Sequence, residues 1–301
     1  MELKCVRVWL MLMLMFISFE GWMIEGCLDE ERSALLQLKH FFNDPYSLLD
    51  WVEGDRNLSY CCQWTRIQCN NMTDRVTSIS LSDARKYESG EWNLNVSLFS
   101  PFQELETLYL GGNLIADCVE NEGFEKLSHL SNLKSLYLYD NMFNDSRILS
   151  ALSEHLSLKY LDLSYNQFRE LNHFNELVSL SNLEALFMGG NEINKIVFSK
   201  GGTSLRKLNW LHLWNVSISD GSSLLQTLGS LPSLNYVELW YCNISGRLPI
   251  HGLSVFQNLT RLYIFETVFH NNIFQMLGDM TSLQSIIIWD SNFDDVLFDQ
   301  G

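Results

Sequence analysis

Apolar residues recur in a fixed pattern over most of the chain. Each copy of the pattern is apolar at its first, fourth and sixth positions, and all but the first copy also at the eleventh. The copies begin at Val76, Leu105, Leu133, Leu158, Leu183, Leu208, Leu234, Leu259 and Leu283, at intervals of 24 to 29 residues. Nine copies in one register are not expected from a chance distribution of leucine, so the pattern predicts a repeat architecture.

The spacing within each copy predicts the local structure. The fourth and sixth positions flank an exposed fifth position, which is typical of a short β-strand. One copy cannot bury its own apolar residues, so neighbouring copies must stack, and their strands then form a parallel sheet with strands about 4.8 Å apart. The segments that return on the outer side, such as 124–133 and 148–158, carry apolar residues at helical spacing. We therefore predict an α/β repeat solenoid, curved as a horseshoe or superhelix with its parallel sheet on the concave face.

The ninth position of each copy carries a second signal. Four consecutive copies have Asn there: Asn113, Asn141, Asn166 and Asn191. A buried Asn side chain can bond turn backbone groups that would otherwise lack partners. The next four copies carry Val216, Cys242, Thr267 and Ser291. Because a valine side chain cannot form such bonds, we predict a locally altered turn at Val216.

The first 26 residues are typical of a secretory signal peptide. Lys4 and Arg7 precede an apolar run over residues 8–19, which Glu20 ends. A membrane anchor is the alternative, but that run is shorter than the roughly 20 apolar residues of a spanning helix. Export would place the protein in an oxidising compartment, where cysteines pair. Seven Asn-x-Ser/Thr sequences are predicted glycosylation sites on this route: Asn57, Asn71, Asn95, Asn144, Asn215, Asn243 and Asn258.

Residues 27–75 are predicted to cover the apolar flank of the first repeat. A helix beginning at Asp29 would present Leu35, Leu38 and Phe42 on one face. The repeats then occupy residues 76–301, and the ninth copy is incomplete.

Four cysteines lie in this covering segment: Cys27, Cys61, Cys62 and Cys69. They allow three connectivities. Since adjacent Cys61 and Cys62 are not expected to pair with each other, we prefer Cys27–Cys61 with Cys62–Cys69. A zinc site is the alternative, but no histidine pattern accompanies these cysteines.

The segment CCQWTRIQC, residues 61–69, resembles the amino-terminal cap of plant leucine-rich-repeat receptors and receptor-like proteins. The family places Gly where this chain has Arg66. The predicted helix DEERSALLQLKHFF and the turn NISGRLP, residues 243–249, also resemble the family. The resemblance is strongest to the receptor-like proteins that lack a kinase.

The resemblance implies an extracellular domain that recognises a peptide or protein, in defence or developmental signalling through receptor kinases as co-receptors. It implies a location in the apoplast or on the outer face of the plasma membrane, with membrane association only in a longer form that carries a transmembrane segment. The family normally continues into further repeats, so the end of the chain within its ninth copy indicates either a truncated product or fragment, or a last repeat whose apolar flank a partner covers. The alternatives are a soluble inhibitor of a cell-wall-degrading enzyme, similar to the polygalacturonase inhibitors, and a truncated copy without signalling function.

Aromatic residues mark the predicted binding surface. The seventh position, on the concave face, is aromatic in the last four copies: Trp214, Trp240, Phe265 and Trp289. Trp210, Tyr236, Tyr241 and Tyr263 lie beside this row, and Glu238, Glu266 and Asp290 add negative charge. Exposed aromatic residues dominate many protein interfaces, so we predict that these residues bind a peptide or protein with a basic segment. The alternative is that the rings only pack against one another across the strands.

Composition excludes several other classes of function. Lysine and arginine number 20 and aspartate and glutamate 36, a net charge of −16, which disfavours nucleic acid as a partner. The chain shows no motif of a catalytic, phosphate-binding, metal or cofactor site, so we predict a protein that is not an enzyme and carries no cofactor. His212 is expected to be a solvated concave residue. Cys118 has no evident partner, and Cys242 is expected to be a buried thiol.

Overall fold

The computed structural model describes residues 27–42, 46–53, 60–85, 87–144, 147–153, 155–169, 180–194, 205–246, 256–270, 273, 277–278, 280 and 281–293. The predicted signal peptide, residues 1–26, and the predicted glycosylation site Asn57 lie outside these residues. The helices are α1 (Asp29–Phe42), α2 (Arg147–Leu152) and α3 (Gly221–Gly229), and the 3₁₀ helices are Cys61–Gln63, Tyr87–Ser89, Val96–Phe99 and Phe124–His129. Within the described residues, no helix has both the length and the apolar character needed to cross a membrane.

The strands are short and follow the repeat period. They are β1 (Ile67–Cys69), β2 (Val76–Ser80), β3 (Trp92–Leu94), β4 (Thr107–Tyr109), β5 (Ile115–Cys118), β6 (Ser135–Tyr137), β7 (Tyr160–Asp162), β8 (Ala185–Phe187), β9 (Trp210–Trp214), β10 (Ser217–Ile218), β11 (Tyr236–Trp240), β12 (Asn243–Ile244), β13 (Arg261–Phe265), β14 (Val268–Phe269), β15 (Ser285–Trp289) and β16 (Asn292–Phe293).

Ten of these strands form the main sheet, in the order β1-β2-β4-β6-β7-β8-β9-β11-β13-β15. Strand β1 runs antiparallel to β2, and every later pair is parallel and in register, as in Leu211↔Val237↔Leu262. Strands β10, β12, β14 and β16 form a second parallel sheet on the far side of each turn, and β3 pairs with β5. The predicted parallel-sheet solenoid is confirmed.

The core runs the length of the solenoid because each repeat buries its apolar positions against the next. Leu105, Leu108 and Leu110, at positions one, four and six, are fully buried, and the same positions are buried in the following repeats down to Leu259, Leu262 and Ile264. The outer segments close this core differently from repeat to repeat. The predicted helical return at 148–158 contains α2, whereas that at 124–133 forms a 3₁₀ helix, Phe124–His129.

Helix α1 covers the first repeat, and Leu35, Leu38 and Phe42 are its fully buried contacts. Its Glu31 carboxylate is also fully buried, where it accepts hydrogen bonds from Arg75 Nε at 2.9 Å and from the Val76 N–H at 3.3 Å. Disulfides join Cys27 to Cys61 and Cys62 to Cys69, the connectivity that the sequence favoured. The cap is therefore tied to β2 by both packing and a paired buried charge.

The four asparagines at position nine form a continuous hydrogen-bonded row. Asn141 shows the pattern. Its Nδ2 donates to three carbonyl oxygens at 3.1 to 3.2 Å, those of Leu110, Leu138 and Tyr139. Its Oδ1 accepts from two backbone N–H groups at 3.0 to 3.3 Å, those of Asn113 and Ile115. Each such side chain therefore joins the turn of its own repeat to that of the preceding repeat.

The row ends where the sequence predicted an altered turn. Asn215 keeps a positive φ of 51°, as the residue at position eight does in every copy, so the left-handed turn itself is retained. The hydrogen bonding changes instead. In the asparagine repeats the N–H of Met142 donates to the carbonyl of Ile115, whereas the equivalent N–H of Asn243 donates to the carbonyl of Val216. The second sheet begins at this point, and the backbone acceptor moves from position eleven to position nine of the preceding repeat, while the Thr267 hydroxyl still accepts the N–H of Cys242 at 3.2 Å.

Arg66, which stands where the related caps have Gly, has a φ of 70°. This left-handed conformation disfavours a side chain with a Cβ atom and suits glycine. The Arg66 guanidinium donates from Nη1 to the carbonyl of Ser82 at 2.5 Å. The side chain thus forms a contact that glycine could not form, while its backbone carries the strain that glycine would relieve.

We expect Asn141→Ala to lower the free energy of unfolding by about 3 kcal/mol, because several buried backbone groups lose their partner at about 1–3 kcal/mol each. Urea unfolding of the full chain measures this change. Asn132→Ala is the matched control, since Asn132 is exposed and donates one bond, to the carbonyl of Gln103. Its effect should stay within about 0.5 kcal/mol. Equal losses in the two variants would contradict a structural role for the asparagine row.

A second prediction separates the strain at Arg66 from its hydrogen bond. Arg66→Ala and Arg66→Gly both remove the bond to Ser82, but only the glycine variant relieves the positive φ. We expect Arg66→Gly to be more stable than Arg66→Ala by about 1 kcal/mol, the reverse of the usual order of these residues. Thermal unfolding of the two proteins measures the difference. A more stable alanine variant would show that the backbone is not strained there.

Candidate functional site

The sheet places all seven predicted aromatic residues on its concave face. Trp210, Leu211, His212, Leu213 and Trp214 alternate along β9, with the leucines buried and the other three half-buried. The parallel register then aligns equivalent positions across the strands. We call the following seven residues the aromatic strip: Trp210, Trp214, Tyr236, Trp240, Tyr263, Phe265 and Trp289.

Many rings of the aromatic strip contact one another. Trp210 stacks on Tyr236 with ring centroids 5.4 Å apart, and Tyr236 meets Tyr263 edge to face at 5.1 Å. Trp240 lies 4.4 Å from Phe265. Trp289, on the outermost strand β15, is 66% exposed. The rings therefore pack on each other, as the alternative interpretation requires, and still present a partly exposed aromatic surface.

The seventh-position row is not a continuous stack, because Trp214 turns away from Trp240. Trp214 lies over Gly189, where an added Cβ would come within 2.5 Å of the Trp214 Cβ. Its ring reaches Tyr165, two repeats earlier, at 4.5 Å. Among the described residues no ring contact joins Trp214 to Trp240, although the two residues are direct partners in the register. Among the described residues, Trp240 and Phe265 are the only neighbours in this row of four whose rings contact each other, so the row is interrupted on both sides of that pair.

The concave face carries further aromatic residues that the sequence analysis missed. Phe187 contacts the Trp210 ring at 4.8 Å and the His212 ring at 5.9 Å. Tyr109 and Tyr137 stack at 4.4 Å near the amino-terminal end. All three occupy position five, so an analysis of that position in every copy could have found them.

Titratable side chains also lie beside the strip, at position five of their repeats. His212 Nε2 is 3.6 Å from a carboxylate oxygen of Glu238, and the Tyr236 hydroxyl donates a hydrogen bond to the other oxygen. Burial lowers the pKa of His212, although Glu238 and Asp162 act in the opposite direction. Burial raises the pKa of Asp162, whose carboxylate accepts the N–H of Ser164 at 2.9 Å. His212 is thus half-buried against a carboxylate and is not the freely solvated residue that was expected.

Two polar atoms of the strip lack partners. The indole N–H groups of Trp210 and Trp240 are buried and have no hydrogen-bond acceptor in the described part of the chain.

The predicted acidic residues Glu266 and Asp290 lie at exposed turns where β13 and β15 end. Negative charge therefore lies both within the strip and along one of its sides.

The predicted glycosylation sites differ in exposure. Five of them are exposed: Asn71, Asn144, Asn215, Asn243 and Asn258. Asn95 is half-buried, and its side chain accepts the N–H of Ser97 at the start of a 3₁₀ helix. Asn215 directly follows Trp214, so a glycan there would border the strip.

The other two cysteines of the described residues, Cys118 and Cys242, are free thiols. Burial raises the pKa of Cys118 to about 12 and that of Cys242 to about 11. Cys242 is buried at position nine, as expected, and its Sγ lies 3.3 Å from the carbonyl oxygen of Trp240. The described residues contain no cluster of His, Cys, Asp or Glu that could hold a metal ion.

Comparison with known proteins identifies the cap and the repeats. Residues 28–70 match the leucine rich repeat N-terminal domain. Cuscuta receptor 1 of Solanum lycopersicum is 31% identical over 248 residues, which cover 78% of this chain and 22% of that protein. Receptor-like protein 13 of Arabidopsis thaliana is 30% identical over 250 residues, 78% of this chain and 23% of that protein. The chain thus matches less than a quarter of the length of these relatives.

Solved structures agree with the fold. A plant ice-binding protein superposes with a TM-score of 0.60 at 20% identity, over 89% of this chain and 80% of that one. At this identity the likeness concerns the fold alone. The cap domain and the curated relatives, which match 78% of this chain, relate it to the plant leucine-rich-repeat receptor-like proteins.

Proposed function

We propose that this chain is an extracellular recognition domain whose aromatic strip binds a peptide or protein. The observation that carries the proposal is a half-buried aromatic surface on a rigid sheet, with Trp289 largely exposed and negative charge beside it. Aromatic residues on a rigid support bind partners at low entropic cost and are frequent hot spots of interfaces. The stacking of the rings on each other does not oppose this role, because it fixes their orientation before a ligand arrives.

The cellular setting is part of the same proposal. Residues 1–26 act as a signal peptide, residues 27–75 as the cap and residues 76–301 as repeats. The protein reaches the apoplast or the outer face of the plasma membrane with glycans on its exposed Asn-x-Ser/Thr sites. Its ligand then affects signalling through kinase-bearing partners. The two relatives described above are named as receptors or receptor-like proteins, which supports this assignment.

Alanine variants of the strip test the proposal. Trp289→Ala removes an exposed ring and should change the free energy of unfolding by less than about 0.5 kcal/mol, whereas Trp240→Ala removes packing on Phe265 and should cost about 2–3 kcal/mol. Both variants should weaken by about tenfold the binding of peptides that the wild-type full chain selects from a random-peptide display library. Titration calorimetry measures the affinities.

Leu156→Ala is the control, since Leu156 is an exposed apolar residue that lies outside the strands of the sheet. Its affinity for the selected peptides should equal that of the wild type. Unchanged binding by both tryptophan variants would reject the strip as the binding site. Inhibition of a pectin-degrading enzyme by the purified protein would favour the inhibitor function instead.

A further inference from the structure

We propose that the space between Trp214 and Trp240 is a subsite for an arginine side chain of the ligand, with Glu238 as the carboxylate that receives it. This inference rests on the proposed function and specifies the ligand chemistry at one point of the aromatic strip. It follows from the shape of the gap, from the charge beside it and from the way the same face already holds a guanidinium.

The gap results from the opposite inclination of two neighbouring indoles. Trp214 reaches back to Tyr165 and also meets Tyr241 edge to face at 6.1 Å, while Trp240 packs forward on Phe265. Adjacent strands are only about 4.8 Å apart, so two rings on paired residues would normally contact each other. Here they diverge, and His212 lies beside the opening with its ring perpendicular to that of Trp240 at 6.1 Å. The opening is therefore bounded by aromatic planes on a continuous sheet.

Glu238 provides an incompletely balanced charge next to this opening. Its side chain is 13% exposed, and its neighbours are the Tyr236 hydroxyl and the His212 imidazole. Because burial lowers the pKa of His212, that imidazole is largely neutral at pH 7 and does not compensate the carboxylate. Within the described residues no lysine or arginine forms an ion pair with Glu238. Asp162, on the same row three strands away, adds further negative potential.

The buried carboxylate of Glu31 offers a contrast. Glu31 in the cap is paired with Arg75 at 2.9 Å and also accepts a backbone N–H. A poorly solvated carboxylate without a cation is costly, and a cation supplied by a ligand removes that cost on binding. The face around Glu238 is thus complementary to a positive group, whereas the Glu31 carboxylate of the cap already has Arg75 as its cationic partner.

Arginine fits this opening better than lysine for three reasons. Its guanidinium is planar, stacks on aromatic rings and donates two parallel hydrogen bonds to one carboxylate. The strip already holds one guanidinium in this manner, since Arg261 lies 5.4 Å from the ring centre of Tyr236.

The test begins with peptides that the wild-type full chain selects from a random-peptide display library. We expect arginine to be enriched among them. Replacing that arginine by citrulline, which keeps the shape but removes the charge, should weaken binding to the wild type by about tenfold. Against Glu238→Gln protein, the arginine and citrulline peptides should bind within about twofold of each other.

Glu192→Gln is the matched control, because Glu192 is an exposed carboxylate paired with Arg169 outside the strands of the concave sheet. It should retain the full tenfold citrulline effect. Thermal unfolding is measured first for each variant. If Glu238→Gln is unfolded, Asp162→Asn takes its place in the same cycle, with a smaller but measurable reduction of the citrulline effect.

The outcomes separate this inference from the proposed function. Selected peptides that require Trp240 or Trp289 but show no arginine enrichment would overturn the arginine subsite and leave the binding strip in place. A citrulline effect of equal size on wild-type and Glu238→Gln protein would overturn it as well. Failure of every variant of the strip to alter binding would reject both.

Discussion

No repeat of this protein can bury its own apolar residues or pair all of its own backbone groups. Each repeat needs its neighbour for both, and the rest of the structure depends on this. A single copy has too few apolar residues to enclose a core, and its turn leaves backbone groups inside the molecule. Both needs are met by the neighbouring copy, through leucine packing and through Asn141 and its equivalents, which bond two turns at once. Because every copy must present the same contacts to the next, the strands align in register and position-seven side chains fall into one row.

The same dependence explains why so much of the fold could be predicted. The leucine period is imposed by stacking, so it is visible in the sequence, and the cap was recognisable from Cys61, Cys62 and Cys69 with their surrounding residues. The outer segments are less constrained, which is why one predicted helical return is a 3₁₀ helix, Phe124–His129. The turn at Val216 differs from the asparagine turns in its hydrogen-bond partners but keeps a left-handed residue, Asn215. The identity of the residue at position nine does not predict which of these two features will change.

The sequence predicted on which face of the sheet the residues of the candidate site lie, but it did not predict which side chains they contact. Alternation along the strands assigned Trp240 and the other strip residues to the concave side. The direction in which a ring leans depends on the space left by residues on other strands, and a single sequence does not specify those rotamers. Likewise, the pairing of Glu238 with Tyr236 and His212 depends on side-chain geometry across two strands.

Gly189 has a consequence that extends beyond its own repeat. Its lack of a side chain lets β9 approach closely, because an added Cβ would come within 2.5 Å of the Trp214 Cβ and 3.0 Å of the Trp214 backbone nitrogen. A homologue with alanine at this point would conserve every ring and carboxylate, yet its β9 strand would have to shift, and the position of Trp214 beside the opening would change with it. Ligand preference in such proteins can therefore diverge through a residue that no ligand ever touches, and surveys restricted to contact residues would overlook the change.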